Sequence, residues 1–203
     1  MRPIMTRPQH QNKQETVMFL QIGAKPESDF SEPLGMLGDC HKRIQFFLKD
    51  LMRLAEIADQ PLDASSRVAL ERALRYFQES GPRHTADEEE SLFPRLRASK
   101  DVHVQQALAT MDALEADHQR ANAAHDQVDA IGRHWLERGA IEHDQAERLR
   151  SLLLDLSELY KHHLEVEDTE LFPAARALLS VHDKAQMGRE MAKRRGLSVD
   201  IVK

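Results

Sequence analysis

Two stretches of the sequence, RHTADEEESLFP at residues 83–94 and HHLEVEDTELFP at residues 162–173, align without a gap. Each contains a histidine followed four residues later by a glutamate, and each ends in Leu-Phe-Pro. The two histidines, His84 and His163, are 79 residues apart. Agreement in order, spacing and chemistry over this length indicates that the chain contains two similar units.

The segments that precede these motifs repeat as well. Leu37-x3-His41 corresponds to Leu114-x3-His118, and the two histidines are 77 residues apart. Each unit therefore carries one lone histidine followed by one His-x3-Glu motif.

Apolar residues around the motifs recur at alternating intervals of three and four, the pattern of one buried helical face. Four such stripes run over residues 34–58, 70–92, 104–135 and 149–171. Four amphipathic helices with short connections predict an all-α fold, an antiparallel up-down four-helix bundle.

Turn-forming residues mark the ends of these helices. Pro61 should follow the end of the first helix, and Asp63 is an expected N-cap for the second. Gly81-Pro82 falls inside the second stripe and should kink or break it, because proline lacks the N–H donor. Gly139 suits the end of the third helix.

The chain divides into three parts by pattern. Residues 1–33 are polar, contain four prolines and are expected to form an N-terminal arm. Residues 34–180 form the predicted bundle, and residues 181–203 a C-terminal tail that could contain a short helix.

Composition excludes several classes of function. With 28 basic and 34 acidic residues in 203, the net charge is −6, which gives no reason to expect nucleic acid or an anionic membrane as partner. The single cysteine, Cys40, excludes a disulfide framework and multi-cysteine metal sites. No apolar run is long enough for a membrane span or a signal-peptide core, so a cytoplasmic protein is expected.

Histidine is the unusual component, with 11 residues. Residues four apart lie on one helix face about 6 Å apart along the axis, so each His-x3-Glu pair can face one cavity. Glutamates without a partner in a core would cost several kcal/mol each, roughly. A pair of metal ions would compensate the negative charges of these glutamates. The six candidate ligands are His41, His84, Glu88, His118, His163 and Glu167.

Each candidate taken alone has an ordinary explanation, as a hydrogen-bonded core histidine or a solvated glutamate. The repeat is what favours metal. Imidazole and carboxylate without thiolate suit paired iron, with manganese or zinc less suitable. By symmetry, His41 and His84 would bind one ion, His118 and His163 the other, and the two glutamates would bridge both. An oxo or hydroxo bridge would add a fifth ligand to each ion and leave one position open.

The remaining polar residues of the stripes have simpler expected roles. His125 lies about 10 Å along the axis from His118, too far for the same ion, and is expected in the core or behind the ligands. His162 could pair with Glu167 only in a slipped register. Tyr160 should pack in the core or line the pocket, and Cys40 should be a small packed side chain. The other histidines are expected at the surface: His10, His103, His134, His143 and His182.

The ligand order, with Leu-Phe-Pro after each His-x3-Glu, resembles the hemerythrin-like (HHE cation-binding) domains over roughly residues 34–180. The resemblance implies a left-handed four-helix bundle around a non-haem di-iron centre that binds oxygen reversibly or senses oxygen, iron or redox state. Oxygen carriers of the family have a further histidine one turn after the third-helix histidine. Here that position is Asn122, and the matching position on the first helix is Gln45. This departure argues against stable oxygen storage and favours oxidation, peroxide reactivity or sensing.

The sequence thus predicts a di-iron protein that binds or senses a small molecule such as O2, and it leaves open whether the protein is an enzyme. The alternative is a di-iron enzyme with oxidase or peroxide-consuming activity. Ferritin-like sites need Glu-x2-His on two helices, and only Glu115-x2-His118 matches. A metal-free helical interaction module is the third hypothesis, and an oligomer is compatible with all three.

Overall fold

The computed structural model describes residues 27–99 and 102–200, with only the backbone described for 102–109. Over these ranges the regular structure is entirely helical, which confirms the predicted all-α fold. The described residues form eight α-helices: α1 (Pro33–Glu56), α2 (Ala64–Glu79), α3 (Gly81–Asp87), α4 (Phe93–Arg97), α5 (Val102–Arg138), α6 (His143–Val166), α7 (Phe172–Leu178) and α8 (Val181–Arg194). Two π-helical turns, π1 (Glu88–Leu92) and π2 (Glu167–Leu171), join α3 to α4 and α6 to α7.

The four long helices pack as a ring in which α1 contacts α2 and α6, and α5 also contacts α2 and α6. The connections from α1 to α2 and from α5 to α6 are short, so each pair is antiparallel. The segment α2–α3–π1–α4 forms the second arm of the bundle, and α6–π2–α7 forms the fourth.

The helix ends follow the sequence signals. The Asp63 side chain accepts hydrogen bonds from the backbone N–H groups of Ser65 and Ser66, as expected of an N-cap. Helix α2 ends at Glu79 and α3 begins at Gly81, so the break predicted at Gly81-Pro82 is present. Gly139 follows α5 with a φ of 76°, a left-handed conformation that glycine adopts without strain.

The two π-helical turns were not predicted. Each begins at the glutamate of a His-x3-Glu motif, and its closing bond runs from the N–H of Phe93 to the carbonyl of Glu88, or from Phe172 to Glu167. A proline follows each phenylalanine, and it lacks an N–H while its ring clashes with the carbonyl four residues earlier. The widened turn relieves that clash, which is the physical role of the repeated Leu-Phe-Pro.

In the part of the chain that the structure describes, the apolar core comprises two clusters. One includes Ile44, Leu74 and the fully buried Trp135. The other includes Leu37 and Leu114 together with apolar residues of α7 and α8. His41 lies between Leu37 and Ile44 along α1, so the predicted ligands form a polar layer between the clusters.

Helix α8 covers the end of the bundle that contains π1. Met187 and Met191 are buried in the second apolar cluster. Arg194 and Arg195 bind the carboxylate of Asp87, at Nη1–Oδ1 2.9 Å and Nη2–Oδ2 2.7 Å, although Asp87 is only 1% exposed. Because Asp87 directly precedes Glu88, α8 fixes the start of π1.

Some sequence predictions concern residues that are not described. Most of the expected N-terminal arm, residues 1–26, lies outside the described residues, as do His10 and the side chain of His103. None of the described helices combines the length and apolar character needed to cross a membrane.

Candidate metal centre

The structure brings the six predicted ligands together in the middle of the bundle. They form two groups of four, and within each group one nitrogen or carboxylate oxygen per residue lies within 4.8 Å of the others. One group has His41 and His84, and the other has His118 and His163. Glu88 and Glu167 belong to both groups.

Each ligand is positioned by a different part of the repeat. His41 lies on α1 and His118 on α5, while His84 and His163 lie one turn before the two π-helical turns. The glutamates occupy the first position of each π-turn and are completely buried. All four histidines are buried as well.

The Nε2 atoms of the histidines face the two glutamates. His84 Nε2 lies 3.5 Å and His118 Nε2 3.3 Å from Glu88 carboxylate oxygens. His41 Nε2 lies 3.2 Å and His163 Nε2 3.4 Å from Oε2 of Glu167. Each glutamate is thus near one histidine from each half of the chain.

The donor atoms at the centre fit a metal pair. The Nε2 atoms of His41, His84 and His118 and all four carboxylate oxygens of Glu88 and Glu167 are buried without a hydrogen-bond partner. Buried polar groups without partners are rare in folded proteins and costly. Neutral imidazoles and carboxylates around one space are the donor set of a non-thiolate transition-metal site.

Comparison with known proteins agrees with this geometry. The family model of the hemerythrin HHE cation-binding domain matches residues 32–185. The chain belongs to the hemerythrin HHE cation-binding family. An uncharacterized protein of Haemophilus influenzae (strain ATCC 51907 / DSM 11121 / KW20 / Rd) is 27% identical over 168 residues, 82% of this chain and 91% of that protein. The family match, together with the two His/Glu groups, identifies this chain as a metal-binding protein.

Two carboxylates that the sequence analysis missed contact candidate ligand histidines of this HHE domain at Nδ1, the ring nitrogen that does not face the shared glutamates. His118 Nδ1 lies 2.8 Å from Glu89 Oε1, and His41 Nδ1 lies 3.0 Å from Asp168 Oδ1. Each carboxylate directly follows one of the two glutamates that both groups share, and it binds a histidine of the other half. The signal was available in the sequence, since both motifs read Glu followed by a second acidic residue.

The other two histidines have unequal neighbours. His163 Nδ1 lies 3.5 Å from Oδ2 of Asp117, the residue before His118. Both ring nitrogens of His84 are buried without a hydrogen-bond partner. Cys40, the residue before His41, is buried as predicted, and its sulfur also accepts a hydrogen bond from Arg43 Nη2 at 3.3 Å.

Charges in the cluster set its protonation. Burial lowers the pKa of His41, but the carboxylates of Asp168, Glu167 and Glu88 outweigh it and raise the pKa to about 11. For His118, burial is likewise outweighed by Glu88 and Glu89, and the pKa rises to about 9. In the absence of metal, both imidazoles are therefore protonated at neutral pH.

A cavity of about 190 Å³ borders the candidate metal centre of the HHE domain. Its wall includes His84, His118 and His163, and also Tyr160 and His125. Tyr160 therefore lines a pocket beside the ligands, one of the two roles that the sequence left open.

Asn122 and Gln45 are the positions at which the sequence departs from oxygen carriers of the family. Asn122 is exposed and lines the cavity that His118 also borders. Gln45 is also exposed and is not part of this cavity's wall.

The remaining residues that could have competed as ligands lie elsewhere. His162 is exposed while His163 points into the centre. Glu115 forms an ion pair with Arg97 at 2.7 Å, so the single Glu-x2-His match is outside the cluster. His143 is exposed and 3.2 Å from Asp59, His182 is exposed, and His134 is half-buried.

Proposed function

We propose that the protein holds two iron ions, one between His41 and His84 and the other between His118 and His163. Glu88 and Glu167 would bridge them. The observation that carries this proposal is the sharing of both glutamates by two otherwise separate His/Glu groups. A single ion would leave two imidazoles and part of each carboxylate without a partner.

The donor chemistry favours iron over the alternatives. The two groups contain imidazole and carboxylate only, and Cys40 is in neither. Zinc in structural sites favours thiolates and closed tetrahedral coordination, whereas carboxylate-bridged pairs in helical bundles suit iron or manganese. A bound iron pair would supply reversible one-electron redox chemistry and an open coordination position for a small molecule.

The chain's own residues fix the ligands and control what reaches them. Glu89 and Asp168 accept hydrogen bonds from His118 and His41, which keeps each Nε2 free to bind a metal. The apolar clusters on both sides of the polar layer exclude bulk water. The cavity beside the histidines gives a small molecule access from one side.

Together these features support a protein that binds or senses oxygen or a related small molecule through its metal pair. The alternative is an enzyme that consumes peroxide or oxidises a small substrate at the same centre. The cavity wall contains hydrogen-bonding side chains, and dioxygen is a poor hydrogen-bond partner. This observation supports the enzyme alternative.

The test is reconstitution of metal-free protein with ferrous iron in the absence of oxygen. We expect two iron ions per chain, and a visible absorption change when oxygen or peroxide is added to the reduced protein. Binding of one ion or fewer would contradict the di-iron proposal. An oxygen-induced spectrum that reverses when oxygen is removed would identify a carrier or sensor, whereas continuous loss of peroxide would identify an enzyme.

A further inference from the structure

Tyr160 lies between the candidate metal centre and the protein surface. Its ring centre is 6.4 Å from that of His163, a candidate ligand, and the two ring planes are perpendicular. Tyr160 also lines a second pocket, of about 440 Å³, between α1 and α6. The wall of this pocket includes the exposed residues Gln45, Lys49 and Lys161. Tyr160 therefore adjoins a metal ligand on one side and a groove that is open to solvent on the other.

Tyrosine and tryptophan are the aromatic side chains that most readily lose one electron to a strong oxidant. The sequence contains two tyrosines, Tyr76 and Tyr160, and one tryptophan, Trp135. Trp135 follows His118 by 17 residues on α5, which is about 25 Å along the helix axis. Tyr160 is the member of this set whose ring contacts the ring of a candidate ligand.

A phenol that loses an electron becomes a strong acid, so its oxidation is favoured by a base within hydrogen-bond distance. His125 supplies such a base, since its Nε2 lies 3.0 Å from Oη of Tyr160. If Nε2 carried the hydrogen, the phenol O–H and the buried Nδ1 lone pair would both remain unused, whereas donation by the phenol leaves a single donor, Nδ1–H, unpaired. The phenol is also the more acidic group and the imidazole the more basic one, so Tyr160 is the donor.

The surroundings of His125 keep it ready to accept this proton. Burial lowers the pKa of His125 to about 4, so the imidazole is neutral at pH 7. An imidazole with this pKa is still a far stronger base than an oxidised phenol. The imidazole stacks on Phe77 with 4.2 Å between the ring centres, which holds it in place beside Tyr160.

The other tyrosine, Tyr76, has a different hydrogen-bond partner. Its hydroxyl donates to the backbone carbonyl of Cys40 at 3.4 Å. A peptide carbonyl is a much weaker base than an imidazole, so it would not take the proton of an oxidised phenol. The two tyrosines thus differ in the feature that makes a phenol easy to oxidise.

We propose that Tyr160 donates one electron to the metal pair once peroxide has oxidised that pair, and that His125 accepts the phenolic proton. The inference rests on the proposed function, because the iron pair is the oxidant. The products are a neutral tyrosyl radical, an imidazolium ion and a metal pair reduced by one electron. A one-electron reductant that enters the groove between α1 and α6 then returns the electron to Tyr160, and His125 returns the proton.

The experiment mixes iron-loaded protein with hydrogen peroxide, freezes the sample rapidly and records its EPR spectrum. We expect the spectrum of a tyrosyl radical. Its lines should narrow in protein that carries ring-deuterated tyrosine, which distinguishes this radical from an oxidised Cys40. Zinc-loaded protein should give no radical, because zinc does not change its oxidation state. Ascorbate added after peroxide should remove the signal.

Three variants assign the radical and its base. Tyr160→Phe keeps the ring, removes the hydroxyl and should abolish the signal. His125→Phe keeps an aromatic ring beside Phe77, removes the base and should lower the radical yield by about tenfold or more. Tyr76→Phe is the matched control and should retain the wild-type signal. Iron content is measured for every variant, so that loss of metal is not mistaken for loss of the radical.

A second measurement does not depend on iron. In zinc-loaded Tyr76→Phe protein, Tyr160 is the remaining tyrosine, and a photogenerated one-electron oxidant in solution should convert it to the radical, which absorbs visible light. Adding His125→Phe to this protein should slow the conversion by about tenfold or more, because the proton has no acceptor.

Three results would overturn the inference. They are an unchanged radical yield in Tyr160→Phe, equal rates of photo-oxidation with and without His125, and no radical in protein whose two iron ions are oxidised by peroxide. Fewer than two iron ions per chain would count against the proposed function instead. The photo-oxidation rates would still decide whether His125 acts as the base for Tyr160.

Discussion

His118 of α5 places its Nδ1 2.8 Å from Oε1 of Glu89 on π1, so a histidine of the second half is held by a carboxylate of the first. The reciprocal contact joins His41 of the first half to Asp168 of the second at 3.0 Å. Each His-x3-Glu motif thus supplies one carboxylate to the candidate metal centre, and the residue that follows the motif binds the opposite histidine. The two halves are tied together at the point where the ions would bind.

The first prediction concerns this reciprocal contact. Glu89→Ala should weaken zinc binding by about 10- to 100-fold, because carboxylates behind metal-bound histidines fix the ring and raise its basicity. Asp168→Ala should have a similar effect through His41. Affinity is measured by competition with a chromogenic chelator. Glu170→Ala, which removes an exposed carboxylate from π2, is the control, and an equal loss in that variant would contradict a specific role for Glu89.

The second prediction concerns the shared glutamates. Glu88→Ala or Glu167→Ala should abolish binding of both ions, because each carboxylate belongs to both ligand groups. His41→Ala belongs to one group and should lose one ion. Metal content after reconstitution distinguishes these cases. Single-ion losses in all three variants would show that the glutamates do not bridge.

The sequence predicted much of this centre because its ligands repeat. The position of a residue within an apolar stripe determines whether it faces inward. A single inward histidine could be either a core residue or a ligand, and the agreement between the two halves favours a ligand. His163 was preferred over His162 on this ground alone, and the structure places His163 inward. The all-α fold followed from the same periodicity.

The features of the site that the sequence did not predict depend on backbone geometry or on contacts between helices that are distant in sequence. A regular α-helix was assumed through residues 88–92, and the clash caused by Pro94 converts it to a π-turn. Glu89 looked like part of a solvated acidic run, and only the packing of α5 against this turn brings it to His118.

The third prediction concerns the contact of α8 with π1. Asp87 is buried and relies on Arg194 and Arg195, and the matching residue of the second half is Val166. The double variant Arg194→Met/Arg195→Met should lower the free energy of unfolding by about 3–5 kcal/mol, because it leaves a buried carboxylate without a partner. Urea denaturation of metal-free protein measures the loss.

Adding Asp87→Val to that double variant should restore most of the lost stability, since the uncompensated charge is removed and valine is the residue that the second half uses. A triple variant as unstable as the double variant would show that the arginines act by packing rather than by neutralising Asp87.

The fourth prediction concerns pH. The pKa values of His118 and His41 are raised to about 9 and 11 in the metal-free fold, above the ordinary value of 6.5. Their protonated forms therefore stabilise the metal-free protein fully below about pH 6.5, and this contribution is lost as the pH rises through 9 towards 11. Zinc-loaded protein holds both imidazoles neutral and should lack this loss. Thermal melts of both forms between pH 7 and 10 should diverge, and parallel declines would refute the assignment. Zinc uptake at pH 7 should also release protons into a weakly buffered solution.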